Sequence, residues 1–204
     1  MDNQTPDSAC TASAIYSGIK TNYGTLGYDS SAVRKNSSSV TSSNEVETIL
    51  SWAQKSGKAT GFVTTARVTH ATPAALYAHT VERDFECDSE IPEDDLKSID
   101  IASQLVYQNP GKNINVMLGG GRPSFFPPKT YEQKYKNSQF YSSNEYGIEG
   151  WDCPRRDDKN LVEDWIQNRG QNAAFVDNLE DLENVDTKDT KYLLGNTKTR
   201  FRKI

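Results

Sequence analysis

The sequence predicts an α/β domain built on a largely parallel sheet. Three observations point there. Helical and strand patterns alternate, "NEVETILSWAQKSGK" before "ATGFVTT" and "LKSIDIASQLVYQ" before "INVML". The connections between them are short. The chain has 204 residues, enough for one domain with a real core.

Each element has its own signal. Ser8 to Gly18 reads as a short helix that stops near Gly18. Tyr23 to Tyr28 reads as strand or turn, punctuated by Gly24 and Gly27, and "SSAVRKNSSSVTSS" as a polar loop. In the next helix Asn44 is the expected cap. Val46, Ile49, Leu50 and Ala53 share a face, and Gly57 sits where helices stop. The strand "INVML" leads into Gly119-Gly120-Gly121. Beyond Arg122 the pattern weakens at Pro123, Pro127 and Pro128. "KTYEQKYKNSQFYSSNEYGIEG" reads as a long surface excursion, "NLVEDWIQNR" as one more helix and "EDLENVDTKDTK" as a solvated stretch. There is no internal repeat.

Composition excludes some functions. The 28 acidic against 23 basic residues give a net charge of -5, which argues against a nucleic-acid partner. No apolar run approaches the roughly 20 residues of a membrane span. "MDNQTPDSAC" lacks the pattern of a signal peptide, and "TKTRFRKI" that of a lipid-anchor signal. The three cysteines, Cys10, Cys87 and Cys153, form no CxxC, and their odd number leaves at least one thiol free or paired with another chain. Sequons at Asn3 and Asn36 are too common to fix a compartment.

In a parallel sheet, ligands bind beyond the carboxyl ends of strands and at helix N-termini. Three segments can meet there: Asp7-Ser8, the stretch "TTARVTHATPAALYAHTVER" and "GGGR". The middle one carries Arg67, His70, Thr72, His79 and Arg83. A hydroxyl at a helix start with arginines nearby suits phosphoryl chemistry, because the helix end offers N–H donors and the guanidinium can fork two oxygens. Plainer readings stand beside it. A serine at a helix start is ordinarily an N-cap. The two histidines can be structural, and Arg83 between Glu82 and Asp84 can be an ordinary surface arginine. The triple glycine fits neither GxGxxG nor a P-loop. Ser17-Gly18-Ile19-Lys20 matches SxxK, but SDN and KTG are absent, and no GxSxG occurs.

The stretch "PDSACTASAIYSGIKTNYGTLG" resembles the nucleophile segment of the alkaline phosphatases. "NEVETILSWAQKSGKATGFVTTARVTHATPAALYAHTVERDFECD" continues the likeness, and "DIASQLVYQ", "INVMLGGGR" and "KNLVEDW" follow in order. The likeness covers Asp7 to about Gly195 and points to the animal, membrane-anchored branch. It implies part of an α/β/α sandwich and hydrolysis of phosphate monoesters through a phosphoserine intermediate. By that resemblance Ser8 is the nucleophile and a zinc ligand, Arg83 the phosphate clamp and Thr72 a magnesium ligand, with His70 beside the magnesium. Two zinc ions and one magnesium are the implied cofactors. Homodimers, a GPI anchor and the extracellular face of the plasma membrane are also implied.

The sequence departs from the family too. The chain has two histidines, His70 and His79, both already placed, so the zinc-binding histidines and a full ligand set are not expected within it. A bridging Asp upstream of the nucleophile is likewise missing. Cys10 replaces a small residue. Ser38 and Ser98 stand where vertebrate members pair two cysteines. Glu132 lies in the region of the calcium site but at the wrong spacing. Residues 196–204 look unlike the family, as in a truncated or misspliced product or an incomplete gene model. The residues 1–204 are therefore expected to be one partial alkaline phosphatase domain. The alternative to an active enzyme is an inactive fragment short of metal ligands.

Overall fold

The computed structural model describes residues 5–128, 130, 153 and 155–196. Four strands, β1 (Gly61–Arg67), β2 (Val116–Gly120), β3 (Ala173–Val176) and β4 (Tyr192–Asn196), form one parallel sheet in the order β1-β2-β4-β3. Among the described residues the helices with full bounds are α1 (Ser8–Ser17), α2 (Ile49–Lys55), α3 (Ala71–Ala74), α4 (Ile101–Tyr107), α5 (Leu161–Gln167) and α6 (Leu179–Glu183). This is the α/β, parallel-sheet class that the alternation predicts.

The sheet has unequal faces. Phe62, Met117, Leu194 and Phe175 lie in register across the four strands and join the main core. That core also takes Ile101 and Leu105 from α4, Leu161 and Trp165 from α5, and alanines of α1 and α3. On the opposite face Val63 is 71% exposed and Val116 36%. A parallel sheet ordinarily buries both faces. Among the described residues no strand pairs with the outer side of β1.

Several boundaries move from their expected places. The second helix begins at Ile49, capped by the Thr48 side chain, which accepts from the Ser51 N–H. Asn44 caps nothing there: it ends a short 3-10 turn, and Glu45 pairs with Tyr28 in a bridge. Val46 is buried outside the helix, while Ile49 is 58% exposed. The helix expected from Leu96 starts at Ile101, because Asp100 accepts from the Ser103 N–H. Gly119 and Gly120 belong to β2. Strands β3 and β4 and the short α6 were not expected, although the stretch around α6 is mostly exposed as predicted. The excursion at 129–150, Glu132, the Asn3 sequon and residues 197–204 lie outside the described residues, apart from residue 130.

Cys87 and Cys153 form a disulfide, and Cys10 is buried and free. The odd count thus resolves within one chain. Beside the disulfide, Asp88 accepts from the backbone N–H groups of Arg156 and Asp157. Arg155, fully buried, forks Asp100 and Asp157. These contacts pin the 153–157 segment over the start of α4. Near Ser38 and Ser98, polar contacts hold two loops together. Ser37 and Ser98 each donate to Asp95 at 2.7 Å, and Lys97 donates to Ser38 at 3.3 Å.

Asn196 ends β4 with no exposed surface, and both polar atoms of its side chain lack a partner. A buried unsatisfied amide costs about 1–3 kcal/mol. Asn196→Leu removes that penalty and leaves the backbone carbonyl that Arg122 binds. The variant should raise the urea midpoint without changing the slope, by about 1 kcal/mol.

Candidate active site

The site begins with a cap. Asp7 has extended backbone, φ -87 and ψ 174, and its carboxylate accepts from the Cys10 N–H at 3.2 Å. Asp7 therefore takes the N-cap role, and Ser8 falls in the first turn of α1 with its hydroxyl released from capping. Behind it, Ala9, Cys10, Ala12 and Ser13 are buried. The alanines of α1 meet those of α3 in the same core. Small side chains on both helices let their backbones approach, which accounts for the low bulk of the Ser8–Ser17 stretch. Cys10 packs as part of this wall. Burial, then Asp7, pushes its thiol pKa up, so it is an unreactive neighbour.

Arg83 reaches this helix end from a distant segment. Its Nη1 donates to Ser8 Oγ at 2.8 Å and to Asp7 Oδ2 at 3.1 Å. Its Nη2 lies 3.1 Å from His70 Nε2. An arginine only donates, so Nε2 accepts and the imidazole in this contact is neutral. The backbone closes the arrangement. Arg83 N–H donates to Gly24 O at 2.8 Å, and Gly24 N–H donates to Asp7 Oδ1 at 3.2 Å. Asp7, Gly24 and Arg83 form a closed ring of hydrogen bonds with Ser8 at its mouth. Burial raises the Asp7 pKa, but the Cys10, Gly24 and Arg83 hydrogen bonds together outweigh it and hold the carboxyl below its ordinary 3.8.

The other candidates divide. His70 stands at the N-cap position of α3 without a capping side-chain bond, α3 packs against α1, and Thr72 follows two residues later with an exposed side chain. His79 lies apart from Ser8. Its backbone is bracketed by the Gln104 amide, and its ring is tilted against Tyr28 at 5.8 Å. Arg67 forks Glu86, which also accepts from Thr69. Arg122 donates to the carbonyls of Asn196 and Asp177. Arg83 and Ser8 are in direct contact in this structure. Reasoning from sequence missed Gly24 and the capping role of Asp7. An acidic residue immediately before a helix start was the signal for the latter.

The fold and site define an α/β protein in which a serine hydroxyl, released from capping at a helix N-terminus, meets an arginine guanidinium. The family model described as alkaline phosphatase matches residues 1–199. Alkaline phosphatase 4 of Drosophila melanogaster is 42% identical over 199 residues, covering 96% of this chain and 32% of its own length. The human tissue-nonspecific isozyme is 37% identical over 196 residues, covering 94% of this chain and 35% of its own. The chain belongs to the alkaline phosphatase family, and it spans about a third of the length of these relatives. Among solved structures, the alkaline phosphatase of the Antarctic bacterium TAB5 superposes with a TM-score of 0.61 at 20% identity, covering 98% of this chain and 42% of that one. A variant of the TAB5 enzyme has Mg bound in its M3 site.

The depressed Asp7 pKa carries a sign. The folded state binds its proton less readily than the unfolded state, so the contribution is full well above pH 3.8 and is lost as pH falls through the folded value. Asp7→Asn can still cap α1 but loses the charge facing Arg83. Its unfolding free energy at pH 7, read from the urea midpoint, should drop by about 1–3 kcal/mol. Its acid limb below about pH 4 should be shallower than the wild type's. Parallel curves for the two proteins from pH 7 to 2 would remove Asp7 from this role.

Proposed function

We propose that this chain carries the nucleophile and phosphate-clamp part of a phosphomonoesterase centre. The observation that carries the reading is the 2.8 Å contact from Arg83 Nη1 to Ser8 Oγ at the start of α1. A phosphate monoester would exchange its nonbridging oxygens for the present Ser8 and His70 partners of the guanidinium. The fork then holds two oxygens, and Asp7 keeps it aimed. The positive end of α1 favours the anionic form of Ser8 Oγ. Attack forms the Oγ–P bond and breaks the ester P–O bond. The proton that Ser8 gives up passes through solvent to the leaving oxygen, and water later adds its hydroxyl to phosphorus and its proton to Ser8 Oγ, returning Ser8 and free phosphate.

The family likeness implies zinc and magnesium, which would activate the attacking oxygens when bound. Among the described residues no three His, Cys, Asp or Glu side chains converge as a metal-holding group. Asp7 is committed to Arg83. These residues do not fit a zinc pair by themselves, so zinc carries no step in this account. The exposed Thr72 hydroxyl is an oxygen donor of the kind magnesium accepts, and the TAB5 variant with Mg bound supports magnesium as the ion it would take.

The same observation favours a second reading for the chain in isolation, namely phosphate binding without turnover. For the place of action we propose the extracellular face of the plasma membrane, with dimers as the working form. The Cys87–Cys153 disulfide supports an oxidising compartment. Among the described residues no helix is long and apolar enough to cross a membrane.

The two readings separate in one assay. Alone, with zinc and magnesium supplied, the chain should hydrolyse an activated aryl phosphate no faster than its Ser8→Ala variant. Residues 1–195 joined to the remaining part of the Drosophila relative should show hydrolysis that Ser8→Ala abolishes. Arg83→Ala in that chimera should weaken inhibition by inorganic phosphate by about tenfold or more. A Ser8→Ala chimera that keeps its activity would overturn the nucleophile assignment.

A further inference from the structure

Arg83 can act as a clamp only while its guanidinium stays aimed at Ser8. Its own segment lies in no helix or named strand. What holds it is a strap, residues 23–35. Leu26 and Thr80 exchange backbone hydrogen bonds at 2.9 and 3.0 Å, Arg83 N–H donates to Gly24 O, and Lys35 N–H donates to Val81 O at 3.0 Å. One side chain of the strap reaches across. Arg34 Nε donates to Glu82 Oε2 at 2.9 Å, and its Nη2 donates to Glu82 Oε1 at 3.0 Å.

Glu82 is the residue before Arg83, and its side chain is 1% exposed. The same Oε1 that takes Arg34 also accepts from the backbone N–H of Asp84 at 3.3 Å, on the far side of Arg83. The carboxylate thus spans the residue that must be aimed. Arg34 is itself seated, 5.3 Å over the Tyr23 ring. Gly24, at φ +77, leaves the space it occupies, since a Cβ there would stand 2.5 Å from Arg34 Nε.

We infer that Arg34 is a positioning residue for Arg83, a latch that fixes the clamp's backbone through the buried Glu82 carboxylate. The inference rests on the clamp reading of Arg83. A lysine cannot reproduce the two parallel bonds. Lys35, 3.6 Å from Glu82 Oε2, supplies charge but no fork.

The full 204-residue chain tests this without turnover. In Arg34→Ala, the Arg83 and Asp84 amides should exchange hydrogen about tenfold or more faster, while Leu105 in α4 is unchanged. Affinity for inorganic phosphate, followed by titration, should fall with it, and Arg34→Lys should restore both only in part. Removing Arg34 alone strands a buried charge, so Arg34→Gln with Glu82→Gln serves as the neutral control and should loosen the same amides. In an Arg83→Ala background, Arg34→Ala should change phosphate affinity no further, whereas a merely structural defect would. Unchanged exchange at Arg83 in both latch variants overturns the latch, as does an equal phosphate loss with and without Arg83. Should Arg83→Ala itself leave phosphate affinity unchanged, the clamp reading falls, and the exchange rates still decide whether Arg34 orders this segment.

Discussion

One carboxylate organises this site. Asp7 accepts from Cys10 N–H and Gly24 N–H through one oxygen and from Arg83 through the other. The first bond starts α1, the second docks the strap, and the third aims a guanidinium whose partner in sequence is 76 residues away. Its side chain is 6% exposed. An anion so placed is costly unless each oxygen is paired, and here each is. Ser8 is left without a structural duty because its neighbour performs it.

The helix and sheet around this carboxylate supply stiffness rather than chemistry. Close packing of α1 on α3 brings His70 to the same guanidinium. The Arg67–Glu86 and Arg155–Asp100 forks repeat the same device at the end of β1 and at the start of α4. In each case an arginine from one segment satisfies a carboxylate from another. Long-range forks of this kind fix loops that have no ladder of their own, and the residues that touch Ser8 lie in or next to such loops.

Much of the scaffold was legible because its signals are local. The α1 helix shows an acidic start, a small-residue body and Gly18 at its end, and β1 and β2 are apolar runs between breaks. Strands β3 and β4 were not legible. They have four and five residues, too few to show a period, and β4 follows the charged stretch 180–191 rather than a patterned helix. Helix starts slipped where a tertiary contact claimed residues first, as when Glu45 joined Tyr28. The meeting of Ser8 with Arg83 came from family likeness, since no periodicity joins residues 75 apart. The role of Glu82 beside Arg83 was not legible either. Glu82 is buried, and Arg34 from 48 residues upstream neutralises it.

The Cys87–Cys153 bond ties the chain into a covalent ring with a sequence separation of 66. Strand β2 belongs to the ring, whereas its sheet neighbours β1 and β4 lie outside it. A protease that nicks the chain anywhere between the two cysteines would therefore release nothing. The two pieces would migrate as one band until a thiol was added, and β2 would stay threaded between strands on either side of the cut. Loss of chain continuity and loss of the assembled sheet are separate events in this protein, and only reducing conditions let the first lead to the second.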